Sequence, residues 1–513
     1  MAVGRQYHVI TREGEIMKAQ LPASVLPEVA AFLGESPLPG VIGGQMAMAA
    51  DGKTFCTCDP GTGQPLAEVA AMLAGDVDRA VQAAQHAFDT TGWPQLKPNE
   101  RGVLLHRLAD AVERRKGIIA QIEALDAGKI LAQAEWDVQN CVDTLRYYTN
   151  LAIHAERRSP LAIAGHEAWT VRQPWGPCGF IFPWNFPILL AGWNLSPALA
   201  AGNTVVVKPA EDTPLSTIYL ARLAKEVGIP DGVINVVPGF GMPTGEALAA
   251  HPGLRRMSFT GSPEVGRLVG AACGRNLVPV KLELGGKGAA VIFDDVDVPQ
   301  TVESLAQAIT FHTGQVCCDA TRWLVHKSIY DRFVTASIRR LQQVCVGYQL
   351  DAAAQMGPVV SQKQRERVLG YLRRGREGGA ELLLEGGPQE VQGRAGFYVK
   401  PALMSGSLDN VAAREEIFGP VAYLAPFVSE EEAVALVNQT DYGLANSVWT
   451  RDLDRAHRVA AAMVAGNSWI NAHNIFPHGV PYAGVKKSGM GGGVLSVETL
   501  FDYFRNVSVV RPL

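Results

Sequence analysis

Thr204-Val-Val-Val-Lys208-Pro209 is a short, β-branched, apolar run that stops at a proline, as a strand buried on both faces of a parallel sheet does. Leu215–Val227 follows with helical spacing and is closed by Gly228 and Pro230. Val233-Ile-Asn-Val-Val237 reads as a second strand, ended by Pro238-Gly239. Arg256–Thr260 reads as a third, and Pro263–Cys273 as a helix opened by Ser262. Strand, helix, strand, then strand and helix is the alternation of a doubly wound α/β sheet. Working outward, a helix is expected from Asp76, with Val77, Val81, Ala84 and Phe88 on one face. Others are expected across Leu104–Val112 and Ile118–Asn150, with a short one near Ala23–Leu33. Downstream, Ala289–Phe293, Trp323–His326 and Val421–Phe427 carry strand signals within a second alternating region, so two α/β domains are predicted.

The bulk numbers agree with that reading. A length of 513 residues suits two or three domains, and 47% apolar against 19% charged residues is ample core material and excludes a disordered chain. Lys and Arg number 46 and Asp and Glu 50, a net charge of −4, which offers no electrostatic basis for binding nucleic acid or an anionic membrane. The first twenty residues, with Glu13 and Glu15 and no apolar run, do not read as a secretory signal. The apolar stretch Gly176–Val207 is interrupted by Pro183, Asn185, Pro187, Asn194, Pro197 and Asn203, and reads as interior rather than as a membrane span. Eight cysteines without a CxxC pair give neither a disulfide framework nor a metal site, since Cys56-x-Cys58 lacks further ligands. A cytoplasmic location is expected.

Several short segments carry chemistry, each with a plainer alternative. Gly239-Phe-Gly241 with Gly245 follows a strand, but its G-x-G-x-x-x-G spacing fits an ordinary turn as well as a nucleotide loop. Phe259-Thr260-Gly261-Ser262 joins a strand end to a helix N-terminus, where free N–H groups suit a phosphate; a simple N-cap is the alternative. Lys208-Pro-Ala-Glu211 lies beyond a parallel strand's carboxyl end, where such sheets bind ligands, though it could be a surface ion pair. Glu283-Leu284-Gly285-Gly286-Lys287 sets an acid before a Gly-Gly turn. Gln315-Val316-Cys317-Cys318 offers the strongest nucleophile candidate, against the usual reading of a buried cysteine as packing. Asn185, inside Pro183-Trp184-Asn185-Phe186-Pro187, is an amide in an apolar run that must find a partner: an oxyanion or a loop carbonyl.

Taken in order over about residues 41–491, these segments resemble the NAD(P)-dependent aldehyde dehydrogenase superfamily. Glu415-Glu416-Ile-Phe418-Gly-Pro420 and Asn438…Tyr442-Gly-Leu-Ala445 complete the series, and the interval 317 − 283 = 34 also matches the family pattern. The resemblance implies two Rossmann-like domains plus a small β oligomerisation element. The cofactor domain would span 41–150 and 174–283, the catalytic domain 284–486, and the oligomerisation element 151–173 and 487–513. Residues 1–40 are an extension without an assigned role. It further implies Cys317 as nucleophile, Asn185 and the Cys317 N–H around an oxyanion, and Glu283 as the activator of a hydrolytic water. Lys208 and Glu211 would take the adenosine ribose, Ser262 the pyrophosphate and Glu416 the nicotinamide ribose, with Phe418 beside the ring. Phe182, Pro183, Trp184, Gly241, Gly245, Thr260, Gly261, Leu284 and Gly285 would line the same cofactor. Glu211 points to NAD rather than NADP. Trp193, Val316, Cys318, Phe476 and Tyr482 would line the substrate tunnel, a wall similar to that of betaine-aldehyde and broad-specificity members. A small-molecule aldehyde, no metal, and a homodimer or homotetramer are the corresponding expectations. A CoA-acylating enzyme and a non-catalytic relative are the alternatives; Glu283 speaks against the first, and intact Cys317, Asn185 and Glu283 against the second.

The chain also departs from the family pattern. Gly492 and Gly493 stand where many members carry Arg-Glu, and Asn194 stands where many carry a lysine. In some relatives that lysine and glutamate are thought to form a proton exit route. Both charges are missing together here, as expected if the route is abandoned as a unit, because one left alone would be costly. The tail Val494–Leu513 departs as well, though its strand-like Val507-Ser-Val-Val510 could still pair with a partner subunit.

Overall fold

The computed structural model describes residues 9–10 and 21–513 of the chain. The reading of the first twenty residues as free of a signal lies, apart from 9–10, outside the described residues. The helix expected near Ala23–Leu33 forms at Pro27–Gly34.

Two large sheets organise the described residues. The first runs, across its width, Gly489–Met490, Val280–Glu283, Arg256–Thr260, Pro177–Ile181, Thr204–Lys208, Ile234–Val236, Gly40–Ile42 and Gln45–Ala47. Its five central strands are mutually parallel. Val205 and Val207 feed the core on one face and Val206 the core on the other, all fully buried, so the unbroken valine run is a strand with two covered faces. The second sheet runs Glu381–Leu384, Ala402–Ser405, Val421–Phe427, Ala320–His326, Gly288–Ile292, Ala445–Trp449 and Asn467–Ile470, parallel except at its first strand. Both expected doubly wound sheets are therefore present. A third, three-stranded antiparallel sheet joins Arg158–Ile163, His166–Pro174 and Phe504–Pro512.

One expectation changes. The single helix expected over Ile118–Asn150 is two, Lys116–Ala127 and Leu131–His154, because Gly128 takes φ +78 and ends the first. The tail strand pairs along its length with His166–Pro174 of its own chain, and its other edge has no strand partner among the described residues.

The two large sheets meet through four residues. Glu283 ends a strand of the first, and Gly288 begins a strand of the second. The carboxyl ends of the first sheet, including the switch between Pro177–Ile181 and Arg256–Thr260, thus face the amino ends of the second, and the cleft lies between them.

Candidate active site

A cavity of about 760 Å³ fills this cleft. Of the site residues expected from sequence, every one except Gly245 lines it. Gly245 instead lies beside the Lys208 side chain, where a Cβ would make ordinary contact at 3.4 Å from Cδ.

Cys317 sits in the loop before the strand Ala320–His326. The chain bends sharply ahead of it: His312, Thr313 and Gly314 have φ of +44, +57 and +69. Gly314 has no alternative, since a Cβ would lie 2.3 Å from the Gly419 carbonyl. That contact presses the cysteine loop onto the segment holding Glu416. The Cys317 Sγ lies 3.4 Å from the Tyr482 hydroxyl. Hydrogen bonding from the adjacent Cys318 thiol, more than the Tyr482 hydroxyl, draws the Cys317 thiol below its ordinary range against the opposing effect of burial. Cys318 Sγ also lies 3.3 Å from Asn474 Oδ1, so its one proton has two acceptors. Burial and the neighbouring Cys317 push the Cys318 thiol well up, making Cys317 the more acidic of the two.

Glu283 closes its strand with both carboxylate oxygens buried and without a partner among the described residues. Burial pushes its carboxyl well above the usual range; Lys281 opposes this and Cys317 adds to it. Asn185 lies just ahead of the helix Pro187–Ala201, and its Nδ2 donates to the Gln315 carbonyl at 2.9 Å. The plainer of its two expected partners is thus the one observed, but an amide nitrogen carries two protons and this bond uses one.

At the other end of the cavity, Lys208 Nζ meets Glu211 Oε2 at 3.3 Å and the Pro209 carbonyl at 2.8 Å, both side chains being buried rather than a surface pair. Ser262 caps the helix Pro263–Arg275, its Oγ accepting from Val265 N at 3.3 Å, which leaves the hydroxyl proton to donate. Glu416 Oε1 accepts from Gly286 N at 2.9 Å, and burial pushes its carboxyl up to about 7. Phe418, at φ +64, sets its ring perpendicular to Trp184 at 5.3 Å.

Aromatic rings crowd the approach to Cys317. Phe476 lies 5.5 Å from both Trp193 and Tyr482, and Trp193 is held by Asn140, which accepts from its Nε1 at 2.6 Å. Trp136 and Phe311, 6.1 Å apart, complete the wall and were not anticipated. Trp136 belongs to the helix Leu131–His154, far from any motif; only its large apolar ring on a helix face could have hinted at a site. No group of three or more His, Cys, Asp or Glu among the described residues is arranged to hold a metal ion.

The profile of the Aldehyde dehydrogenase family matches residues 47–510. The chain is 43% identical over 444 residues to retinaldehyde dehydrogenase 3 of Mus musculus, covering 86% of each chain. In structure it is similar to the NAD+ complex of aldehyde dehydrogenase from Bacillus cereus, with 37% identity, a TM-score of 0.92 and coverage of 95% and 99%. It is also similar to betaine aldehyde dehydrogenase from Staphylococcus aureus in complex with NAD+, with 32% identity, a TM-score of 0.92 and coverage of 94% and 97%.

Proposed function

The chain belongs to the aldehyde dehydrogenase family, and from that premise we propose that it oxidises an aldehyde to a carboxylic acid with NAD, through a covalent intermediate on Cys317. One observation carries this reading: the buried, unpartnered Glu283 carboxylate lines the same cavity as Cys317 and Asn185.

The residues fit the cofactor. The buried Glu211 and Lys208 suit a ribose diol, and the carboxylate would repel a 2′-phosphate, which favours NAD over NADP. Ser262 and the opening N–H groups of Pro263–Arg275 suit a pyrophosphate, and Glu416 the second ribose. Bound NAD supplies a hydride acceptor. Cys317, as thiolate, attacks the aldehyde carbon to give a thiohemiacetal, and the developing oxyanion is held by the Asn185 amide and the Cys317 N–H. Loss of hydride leaves a thioester. Glu283 takes a proton from water as it attacks that thioester, and the acid and the Cys317 thiolate are released.

The aromatic wall supports a neutral, apolar or aromatic aldehyde over a cationic one, since no acid stands among Trp136, Phe311, Trp193, Phe476 and Tyr482. The third sheet supports assembly into a homodimer or homotetramer, and the division into cofactor, catalytic and oligomerisation segments belongs to the same proposal. No helix among the described residues is long and apolar enough to cross a membrane. Following absorbance at 340 nm with a panel of aldehydes, with and without CoA, tests the reading. Turnover without CoA is expected; strict dependence on CoA would favour the acylating alternative, and NAD binding without turnover of any aldehyde the non-catalytic one.

A further inference from the structure

The segment Gly489–Gly493 lies directly on the strand Val280–Glu283. Leu282 pairs with Met490, and Glu283 with Gly489. Gly491 has φ +82, and a Cβ on it would lie 2.0 Å from the Val280 carbonyl oxygen. One on Gly493 would lie 2.5 Å from that of Tyr482. Apart from the exposed Met490, bare backbone is pressed on the strand, and the segment carries no charged side chain toward Glu283. Opposite, the helix Pro187–Ala201 presents the fully buried Asn194, whose amide is engaged by the Leu190 carbonyl at 2.9 Å and the Ser258 hydroxyl at 3.0 Å. Ser258 is the register partner of Lys281. Neither covering element brings a charge.

The strand itself does. Lys281 precedes Glu283 by two residues, so both project from the same face, with Cα atoms about 7 Å apart. Its side chain is buried, Nζ donating to the Gly493 carbonyl at 3.4 Å and lying 5.8 Å from the Tyr503 ring. The other charged or titratable groups around the pair are Arg256 on the adjacent strand, Asp502 after the helix Val497–Phe501, and Cys317 across the cleft. Arg256 and Asp502 are bridged at 3.3 Å and largely offset each other, which leaves Lys281 facing Glu283.

We infer that Lys281 is a positioning residue for Glu283, a cation built into the same strand that acts as counter-charge to the carboxylate where the covering elements offer none. This rests on Glu283 being the group that activates water. Burial favours the neutral form of each: it drives the Glu283 carboxyl well up and the Lys281 ammonium down to about 8, and each charge opposes the shift of the other. Without the ammonium, Glu283 holds its proton to higher pH. Thioester hydrolysis then fails near neutrality and returns in alkali, while thioester formation is untouched.

Lys281→Met, Lys281→Arg and Glu283→Gln separate these ideas, read by the single-turnover burst of NADH and by steady-state kcat across pH. For Lys281→Met the burst is expected intact, with kcat near neutrality reduced about 10-fold and its acid limb moved up by about one pH unit. Lys281→Arg should restore the limb. Should Lys281→Met not fold, Lys281→Gln, which keeps a donor toward Gly493 without the charge, must show the same displacement. An acid limb that stays in place in the uncharged variant, whether or not kcat falls, overturns the role of Lys281. Steady turnover retained in Glu283→Gln overturns the reading of Glu283 itself, and a burst without turnover in that variant upholds it independently of Lys281.

Discussion

Two adjacent thiols of unequal acidity set the first expectation. Cys317 carries the proposed covalent step, and Cys317→Ala should lower kcat by about 10⁴-fold or more, measured as NADH formation at 340 nm. Cys318→Ala should keep turnover, but with a signature. Its thiol helps hold Cys317 low, so removing it raises the Cys317 thiol and moves the acid limb of kcat/KM to higher pH, with activity recovered in alkali. Equal losses at all pH values in the two variants would refute the assignment. Glu416 gives a second pH effect. Its carboxyl titrates at about 7, so below that pH it becomes protonated and a poorer acceptor for ribose hydroxyls. The KM for NAD should therefore rise as pH falls through 7, and in Glu416→Gln it should be raised at every pH. These residues were legible in the sequence because each sits in a short local motif whose side chains share one stretch of backbone. Trp136 and Lys281 were not, because their meaning comes from burial and from segments far away in the chain.

At the level of elements, the cleft is assembled by close backbone approach, and glycines mark the contacts. Gly493 is one such case. A methyl there would meet the Tyr482 carbonyl at 2.5 Å and the Ala483 Cβ at 2.8 Å, both on the segment that carries the Tyr482 hydroxyl to Cys317. Gly493→Ala should cost about 1–3 kcal/mol as an overpacked contact and lower Tm by a few degrees in a thermal melt. It should also reduce activity beyond that loss, since Tyr482 must shift; an unchanged Tm would show that the segment yields freely. The strands and helices of the first sheet were readable from their periodicity, because β-branched runs ended by proline have few other structures open to them. The break at Gly128 was harder, since the apolar spacing continues on both sides and only the left-handed glycine divides it. The departure at Gly492–Gly493 was visible as missing charges, but its setting was not: a Cβ at Gly492 would meet Asp502 Oδ2 at 2.3 Å and one at Gly493 the Tyr482 carbonyl at 2.5 Å.

At the scale of the whole molecule, the third sheet leaves a long edge without a strand partner among the described residues. Phe504–Pro512 is an edge strand, and an unpaired edge of nine residues is a template for association. One face of the sheet also carries apolar side chains into solvent. Leu161 and Val510 stand in register on either side of Ala168 and are 42% and 58% exposed, with Ile163 at 50% nearby. Exposed apolar residues in cross-strand register form a patch that a second copy of the chain can cover, whereas scattered ones would need no explanation. The proposed homodimer or homotetramer should therefore depend on this row. Light scattering on the intact chain should give a mass two or four times 55.0 kDa. Leu161→Asp combined with Val510→Asp places two carboxylates on the patch, and should lower that mass while leaving the secondary-structure signal in place. Because this sheet stands apart from the cavity, residual activity of the dissociated chain would show that each subunit holds a complete site. An unchanged mass in the double variant would move the interface elsewhere.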